Sequence, residues 1–124
     1  MAGTVLGQDD PFFALQTKAP GIFSYVRRAE IEAFADASPS NCILILSDGE
    51  DVRAFQKCSS IAAGLQNKSL VSFPNEFGLV FLSPAFVDGL LSMNDSGCRL
   101  NLKNGKHVSV KQACASVREV LPRE

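Results

Sequence analysis

The strongest constraint on this sequence is that it repeats itself at an offset of 56 residues. Residues 42–66 align with residues 98–122 without a gap, and nine of these 25 positions are identical. Two unrelated segments of ordinary composition would share only about one or two such positions. The four cysteines follow the same offset, as Cys42, Cys58, Cys98 and Cys114. We therefore interpret the chain as two copies of one unit, at 21–66 and 77–122.

Both copies predict the same elements in the same order: two strands, a polar loop, a β-hairpin and a helix. In the first copy we expect strands near 22–26 and 30–35, a hairpin of 42–46 with 50–55, and a helix over about 57–66. The second copy repeats this at 78–82, 86–91, 98–102 with 106–111, and 112–121. The predicted fold class is mostly β with two short helices (α+β). The two copies should pack as one body, because a lone hairpin with one helix cannot bury its apolar face.

The hairpin register follows from the turn residues. A two-residue turn at Asn104-Gly105 would put the apolar residues of the two strands on opposite faces. A three-residue loop with glycine third instead pairs Leu100 with Val108, and Leu44 with Val52 in the first copy. We favour this register because it gives each hairpin one shared apolar face.

The outward faces of the two hairpins then differ in chemistry. The second copy carries a polar, basic set, namely Arg99, Asn101, His107, Ser109 and Lys111. The first copy carries an apolar and mixed set, namely Ile43, Ile45, Asp51, Arg53 and Phe55. Charge is divided in the same way. Residues 98–124 hold six basic and two acidic residues (+4), whereas residues 1–97 hold six basic and eleven acidic residues (−5). This asymmetry indicates an anionic partner; the alternative is an ordinary solvated face.

Outside the repeat, residues 1–20 are interpreted as a flexible lead-in and residues 67–76 as the segment that joins the copies.

The cysteines permit three disulfide pairings, but we expect buried free thiols in a reducing compartment. One histidine, His107, and no Cys-x-x-Cys pair leave no zinc site of ordinary spacing, and no cofactor motif is present. No apolar run is long enough to cross a membrane, and no secretion signal begins the chain. The prediction is a cytoplasmic protein without a metal or cofactor.

Duplicated strand units with a helix after each hairpin resemble the LytTR DNA-binding domain of bacterial response regulators. The matching stretches are Ile43 to Gly49 leading to a helix, an apolar segment from Phe77 to Leu91, and Arg99 to Lys111. The resemblance covers residues 21–122, which would form a single LytTR-like domain. It implies DNA binding through loops that reach into successive major grooves, here the loops around 36–41, 94–99 and 110–112.

The sequence departs from the family pattern at two contact elements. Phe81-Leu82-Ser83 stands where the family usually has His-Arg-Ser, and Val110-Lys111-Gln112 stands at its Ser-Arg element. Loss of the histidine and arginine would remove about 1–3 kcal/mol of base discrimination.

The first functional hypothesis is a bacterial transcriptional regulator that binds duplex DNA through loops and the basic second repeat. Lysines would contact phosphates, and the other residues would contact base edges or backbone. The predicted set is Arg99, Asn101, Lys103, Lys106, Lys111 and Gln112.

The alternative is a LytTR-like interaction module without DNA contact that forms a homodimer, or that binds or antagonises a regulatory protein. Its predicted contact residues are Ile43, Ile45, Phe55 and Phe81, unless the other copy covers them. An enzyme is the weakest hypothesis. Cys114 and His107 could in principle form a nucleophile and its base, but a cysteine on the inward face of a helix is typical of a core residue. We therefore predict no catalytic residues.

Overall fold

Residues 11–17, 21–93 and 97–121 are described by the computed structural model, and they form ten strands and two helices. The strands are β1 (Phe12–Gln16), β2 (Phe23–Arg27), β3 (Ile31–Ser38), β4 (Asn41–Leu46), β5 (Asp51–Ala54), β6 (Val71–Asn75), β7 (Gly78–Leu82), β8 (Val87–Ser92), β9 (Cys98–Leu102) and β10 (His107–Val110). The helices are α1 (Cys58–Leu65) and α2 (Cys114–Val120). The predicted class, mostly β with two short helices, is confirmed.

The strands form three antiparallel sheets that pack as layers. The middle sheet has five strands in the order β5-β4-β3-β7-β6, and it lies between the β1–β2 ribbon and the sheet β10-β9-β8. One face of the middle sheet packs with β1 and α1 around Phe34, Leu44 and Ile61. Its other face meets the three-stranded sheet and α2 in a second core, whose members include Ile45, Leu82, Leu100, Val108 and Val117.

The same order of elements occurs twice along the chain. β2 to α1 is followed by β7 to α2, and in each case a short 3₁₀ turn precedes the second strand of the series, at Arg28–Glu30 and Pro84–Phe86. Each series also gains a preceding strand that the sequence repeat does not include, because β1 pairs with β2 and β6 pairs with β7. That the two series arose by duplication remains our interpretation of the sequence.

Both hairpins have the predicted register. Leu100 pairs with Val108 and Leu44 pairs with Val52, across three-residue loops closed by Leu102 N–H to Lys106 O (2.8 Å) and Leu46 N–H to Glu50 O (2.9 Å). The third loop residue is Gly105 (φ 89°) or Gly49 (φ 88°), in the left-handed region that favours glycine.

The expectation of free thiols is wrong. Cys42 is bonded to Cys58 and Cys98 to Cys114, with Cα–Cα distances of 5.1 and 4.9 Å. Each bond joins the first strand of a hairpin to the first residue of the following helix. The hairpin and helix pack their apolar sides together, and this packing brings the two sulfurs within bonding distance.

Two segments that the sequence analysis places outside the repeat contain strands. Residues 12–16 form β1, and residues 71–75 of the joining segment form β6 at an edge of the middle sheet. The division into a lead-in, two repeats and a joining segment remains a prediction. Neither helix of the described residues is long and apolar enough to span a membrane.

Candidate nucleic-acid interface

The polar face of the second hairpin is formed by alternate residues of β9 and β10. Arg99 lies opposite Ser109 and Asn101 opposite His107, so these four side chains project from the same side of the sheet. The Arg99 guanidinium donates to Asn101 Oδ1 (Nε–Oδ1 3.2 Å), and both residues are half-buried. His107 and Ser109 are exposed, and neither strand contains an acidic residue. This face therefore offers hydrogen-bond donors to an anionic partner.

Lys103 and Lys106 flank the turn of the same hairpin, and both are exposed. The turn is held against the rest of the molecule by its backbone and by Asn104. Lys103 N–H donates to Phe86 O (2.9 Å), and Asn104 Nδ2 donates to Leu46 O of the first repeat (2.7 Å). The two lysine side chains are thus carried by a fixed turn at the junction of the repeats.

A buried carboxyl group lies near this turn. Glu32 is only 4% exposed, and its Oε1 has no hydrogen-bond partner within the described part of the chain. Burial raises the pKa of Glu32 above its ordinary value; the nearby charge of Lys103 opposes this rise, and Glu30 adds to it. The charge of Lys103 therefore interacts with a buried group of the protein as well as with solvent.

Lys111 and Gln112 lie at the other end of the hairpin, immediately before α2. Lys111 is exposed, and its backbone N–H donates to Pro74 O of β6 (2.8 Å). Gln112 is half-buried, and the Cys98–Cys114 bond fixes the start of α2 beside β9. The segment that carries both residues is therefore fixed by a hydrogen bond to β6 on one side and by the disulfide bond to β9 on the other.

The six predicted DNA-contacting residues therefore fall into three pairs. The structure brings Arg99 and Asn101 into contact, whereas the pairs Lys103/Lys106 and Lys111/Gln112 lie at opposite ends of the hairpin. A strand of this length separates its ends by about 13 Å. The six residues form an extended strip along one hairpin and not a single cluster.

The residues of the alternative partner surface are dispersed. Ile45 is 7% exposed and lies in the core between the middle sheet and the three-stranded sheet. Phe81 stacks on Phe34 with a ring-centroid distance of 5.2 Å. Phe55 is exposed, while half-buried Ile43 lines an open groove that also involves His107, Ser109 and Lys111. Ile45 also lines this groove, so Ile43 and Ile45 lie near the polar strip and Phe55 and Phe81 do not line the groove.

Among the loops implied by the family resemblance, the 36–41 segment has a structural role. Asp36 accepts the N–H of Cys58 at Oδ1 and the N–H of Leu79 at Oδ2, both at 2.9 Å. Its carboxylate therefore links β3, α1 and β7. Of the loop around 94–99, residues 94–96 lie outside the described residues.

One group of metal-ligating residue types occurs in the described ranges, formed by Asp36, Cys42 and Cys58. The two sulfurs are bonded to each other, and both oxygens of Asp36 accept backbone N–H groups. With these bonds in place the group offers no free ligand set.

Three residues with a bearing on the site are missing from the predicted set. His107 and Ser109 complete the polar face, and strand alternation alone was the signal that could have included them. Glu32 was missed, because nothing in its local sequence separates it from an ordinary exposed glutamate.

No protein-family model matches this sequence, and no curated protein sequence matches it. Among solved structures, the chain is similar to one described as "LytTr DNA-binding domain of putative methyl-accepting/DNA response regulator from Bacillus cereus". The TM-score is 0.61 at 12% sequence identity, and the match covers 92% of this chain and 99% of that chain. The chain therefore has the LytTR-type fold, as the sequence resemblance predicts.

Proposed function

We propose that this protein is a regulator that binds duplex DNA through the polar strip of its second repeat. The observation that carries the proposal is the outer face of β9–β10, where Arg99 and Asn101 lie beside exposed His107 and Ser109 without an acidic residue in either strand. The LytTR-type fold of the chain supports the same function, since the similar solved structure is described as a DNA-binding domain.

The exposed lysines would act on the DNA backbone. Lys103, Lys106 and Lys111 are carried on backbone fixed by hydrogen bonds, so little ordering would be needed when they meet phosphates. Each such contact releases condensed counterions, and this release supplies affinity without sequence information.

Sequence discrimination would come from the amide and guanidinium groups. Arg99 and Asn101 are hydrogen-bonded to each other, and Asn101 retains its amide N–H groups while Arg99 retains its terminal guanidinium nitrogens as donors. Gln112, two residues before α2, would add a third donor–acceptor group. Because Phe81-Leu82-Ser83 lacks the family's histidine and arginine, we expect modest sequence preference over a strong non-specific affinity.

A catalytic role is not part of this proposal. Cys114 Sγ is bonded to Cys98 and cannot act as a nucleophile in that state. Cytoplasmic location remains a prediction, and the two disulfides bear on it, because such bonds persist in oxidising compartments. Counting the free thiols of protein recovered under alkylating conditions from its native host tests that location.

Charge reversal on the strip tests DNA binding. The double variant Lys106→Glu/Lys111→Glu should weaken binding to a random-sequence duplex at least ten-fold at about 50 mM salt, because two phosphate contacts become repulsive. The control Arg53→Glu/Lys57→Glu changes the net charge equally on exposed residues of the first repeat, and it should bind like wild type. Lys103 is left unchanged because its charge also acts on Glu32.

Absence of wild-type binding to any duplex at low salt would overturn the proposal. The protein-binding alternative, in which the domain recognises or antagonises a regulatory protein, would then be favoured. Of its predicted contact residues, exposed Phe55 and half-buried Ile43 and Phe81 retain accessible surface, whereas Ile45 is buried.

A further inference from the structure

The β1–β2 ribbon presents an aromatic face to solvent. Its register pairs Phe12 with Arg27, Ala14 with Tyr25 and Gln16 with Phe23, so these six side chains share one face. Tyr25 is 67% exposed, Phe23 49% and Phe12 38%, and the guanidinium of Arg27 lies 4.7 Å from the centre of the Phe12 ring. The opposite face of the ribbon packs into the core through Leu15, with Phe13 and Val26 beside it.

One edge of this ribbon has no neighbouring strand within the described residues. Among the strands of the described residues, β2 pairs with β1 alone. The bonds at its two ends, Arg28 N–H to Pro11 O and Thr17 N–H to Ile22 O, show which β2 residues face β1. Hydrogen bonding in an antiparallel ladder alternates along the strand. The N–H and C=O groups of Phe23, Tyr25 and Arg27 therefore point away from β1, along the open edge.

The other edge of the ribbon is occupied. Phe55 N–H donates to Gln16 O (2.7 Å), and Gln16 N–H donates to Oε1 of Gln56 (3.2 Å). Any added strand must therefore pair with β2. An open row of backbone groups beside exposed aromatic side chains is a template for another extended chain.

We propose that two copies of this protein form a symmetric dimer by antiparallel pairing of their β2 strands, centred on Tyr25. Tyr25 is the middle residue of the five-residue strand, and its N–H and C=O face the open edge, as this register requires. The same register places Phe23 opposite Arg27 of the second copy. Arg27 would then lie beside Phe12 of its own chain and Phe23 of the other, so the aromatic–arginine pairing seen within one chain recurs across the dimer axis.

The exposed apolar surface is adequate for a weak, reversible dimer. Phe12, Phe23 and Tyr25 together expose about 300 Å² per copy on this face, and an apolar patch of this size on a monomer is commonly functional. Pairing of the two β2 edges buries the open backbone groups and the lateral sides of Phe23, Tyr25 and Arg27, while the outer face of the ribbon stays in solvent. The buried surface is therefore at or below the lower limit for specific association, about 1,000 Å² in total, as expected for a weak dimer. This surface is separate from the polar strip of β9–β10, so the dimer stands or fails independently of DNA binding.

Site-specific crosslinking of the intact chain tests the register. In the proposed dimer the two Tyr25 Cα atoms lie about 5.5 Å apart, within the range for a disulfide. Tyr25→Cys should therefore give a covalent dimer on mild oxidation. The matched control is Ala14→Cys. Residue 14 lies on the same face one strand further from the dimer axis, so its two Cα atoms would be about 14 Å apart, and this variant should stay monomeric.

A second measurement avoids any new cysteine. Tyr25 is the one tyrosine of the chain, which contains no tryptophan, so tyrosine fluorescence reports on this face. The tyrosine fluorescence per molecule should change with protein concentration in parallel with the sedimentation coefficient. Phe23→Lys should abolish both changes. Phe77→Lys, at an equally exposed phenylalanine elsewhere, should preserve them.

The proposal is overturned if wild type remains monomeric at millimolar concentration, or if both cysteine variants crosslink equally. It is also overturned if a monomeric protein changes its Tyr25 fluorescence only on addition of a single-stranded oligonucleotide, which would assign the aromatic face to nucleobases.

Discussion

The hairpins of the two repeats have the same backbone conformation, but their outer faces carry different side chains. Each has a three-residue loop ending in a left-handed glycine, the same cross-strand register, and a disulfide to the following helix. At corresponding positions the first hairpin carries Ile43 and Ile45, whereas the second carries Arg99 and Asn101. The backbone is therefore set by the positions that the repeats share, and the role of each face is set by the positions at which they differ.

The location of each hairpin explains the difference. β4 lies inside the five-stranded sheet, and Ile45 is covered by the second repeat. β9 and β10 belong to an outer sheet, where the equivalent residue Asn101 is not in the core. One copy thus contributes its hairpin face to the interior, and the other keeps its face available for a partner.

The disulfides give the largest test of this asymmetry. Both close loops of equal sequence separation, 16 residues, so the loop entropy removed from the unfolded chain is equal, about 3 kcal/mol for each. Cys42 and Cys58 are both fully buried, whereas Cys114 is half-buried. The variant Cys42→Ala/Cys58→Ala should therefore lose about 1 kcal/mol more stability than Cys98→Ala/Cys114→Ala. Urea unfolding measures both losses, and a larger loss in the second repeat would contradict the comparison.

Asp36 has no equivalent side-chain interaction among the described residues of the second repeat. Asp36→Ala leaves the N–H groups of Cys58 and Leu79 without their acceptor and should cost about 2–3 kcal/mol. The matched control is Ser92→Ala at the corresponding position, which is exposed and should change stability by less than about 0.5 kcal/mol. Thermal unfolding compares the two, and equal effects would show that the Asp36 bonds contribute little.

Glu32, a buried carboxyl group of the first repeat, makes the stability of the protein depend on pH. Because burial raises its pKa in the folded protein, ionisation of Glu32 opposes folding, and this penalty grows as the pH rises through the folded-state pKa. Glu32→Gln should therefore stabilise the protein more at about pH 8 than at about pH 4, because protonation at low pH removes the buried charge of wild-type Glu32. Melting curves at both pH values test this, and a gain that does not depend on pH would point to packing instead of charge.

The loop glycines test the equivalence of the two turns. Gly49→Ala and Gly105→Ala should each cost about 1 kcal/mol, because both residues have φ near 90° and neither added methyl group meets a close neighbour. Equal losses in urea unfolding would confirm that the turns are the same. A difference larger than about 1 kcal/mol would show that the loops are constrained differently.

Sequence reasoning could predict most of the fold, because local signals agree there. Glycine at the third loop position and one apolar face gave the hairpin register. Apolar residues at helical spacing gave both helices: Cys58, Ile61 and Leu65 in the first, and Cys114, Val117 and Leu121 in the second. β6 was missed because it contains Pro74, which argues against a strand; as an edge strand it tolerates the missing N–H. β1 was missed because residues 12–16 have no counterpart in the sequence repeat.

For the candidate site, the sequence could predict only which side chains share one face of the hairpin. Strand parity put Arg99 and Asn101 on one face, but the contact between them depends on side-chain rotamers. The burial of Ile45 depends on how the two repeats pack, and the cysteine bonds depend on the distance between hairpin and helix. Both are long-range properties that no local pattern contains.

The salt dependence of binding to a random-sequence duplex tests the central claim most directly. Between about 50 and 200 mM salt, log K against log salt should fall with a slope of about −3 for the three lysine–phosphate contacts. Lys111→Gln should make the slope shallower by about one, whereas Phe55→Gln at the corresponding position of the first repeat should leave it unchanged. A slope near zero, or equal effects of the two variants, would contradict the assignment of DNA binding to the second repeat.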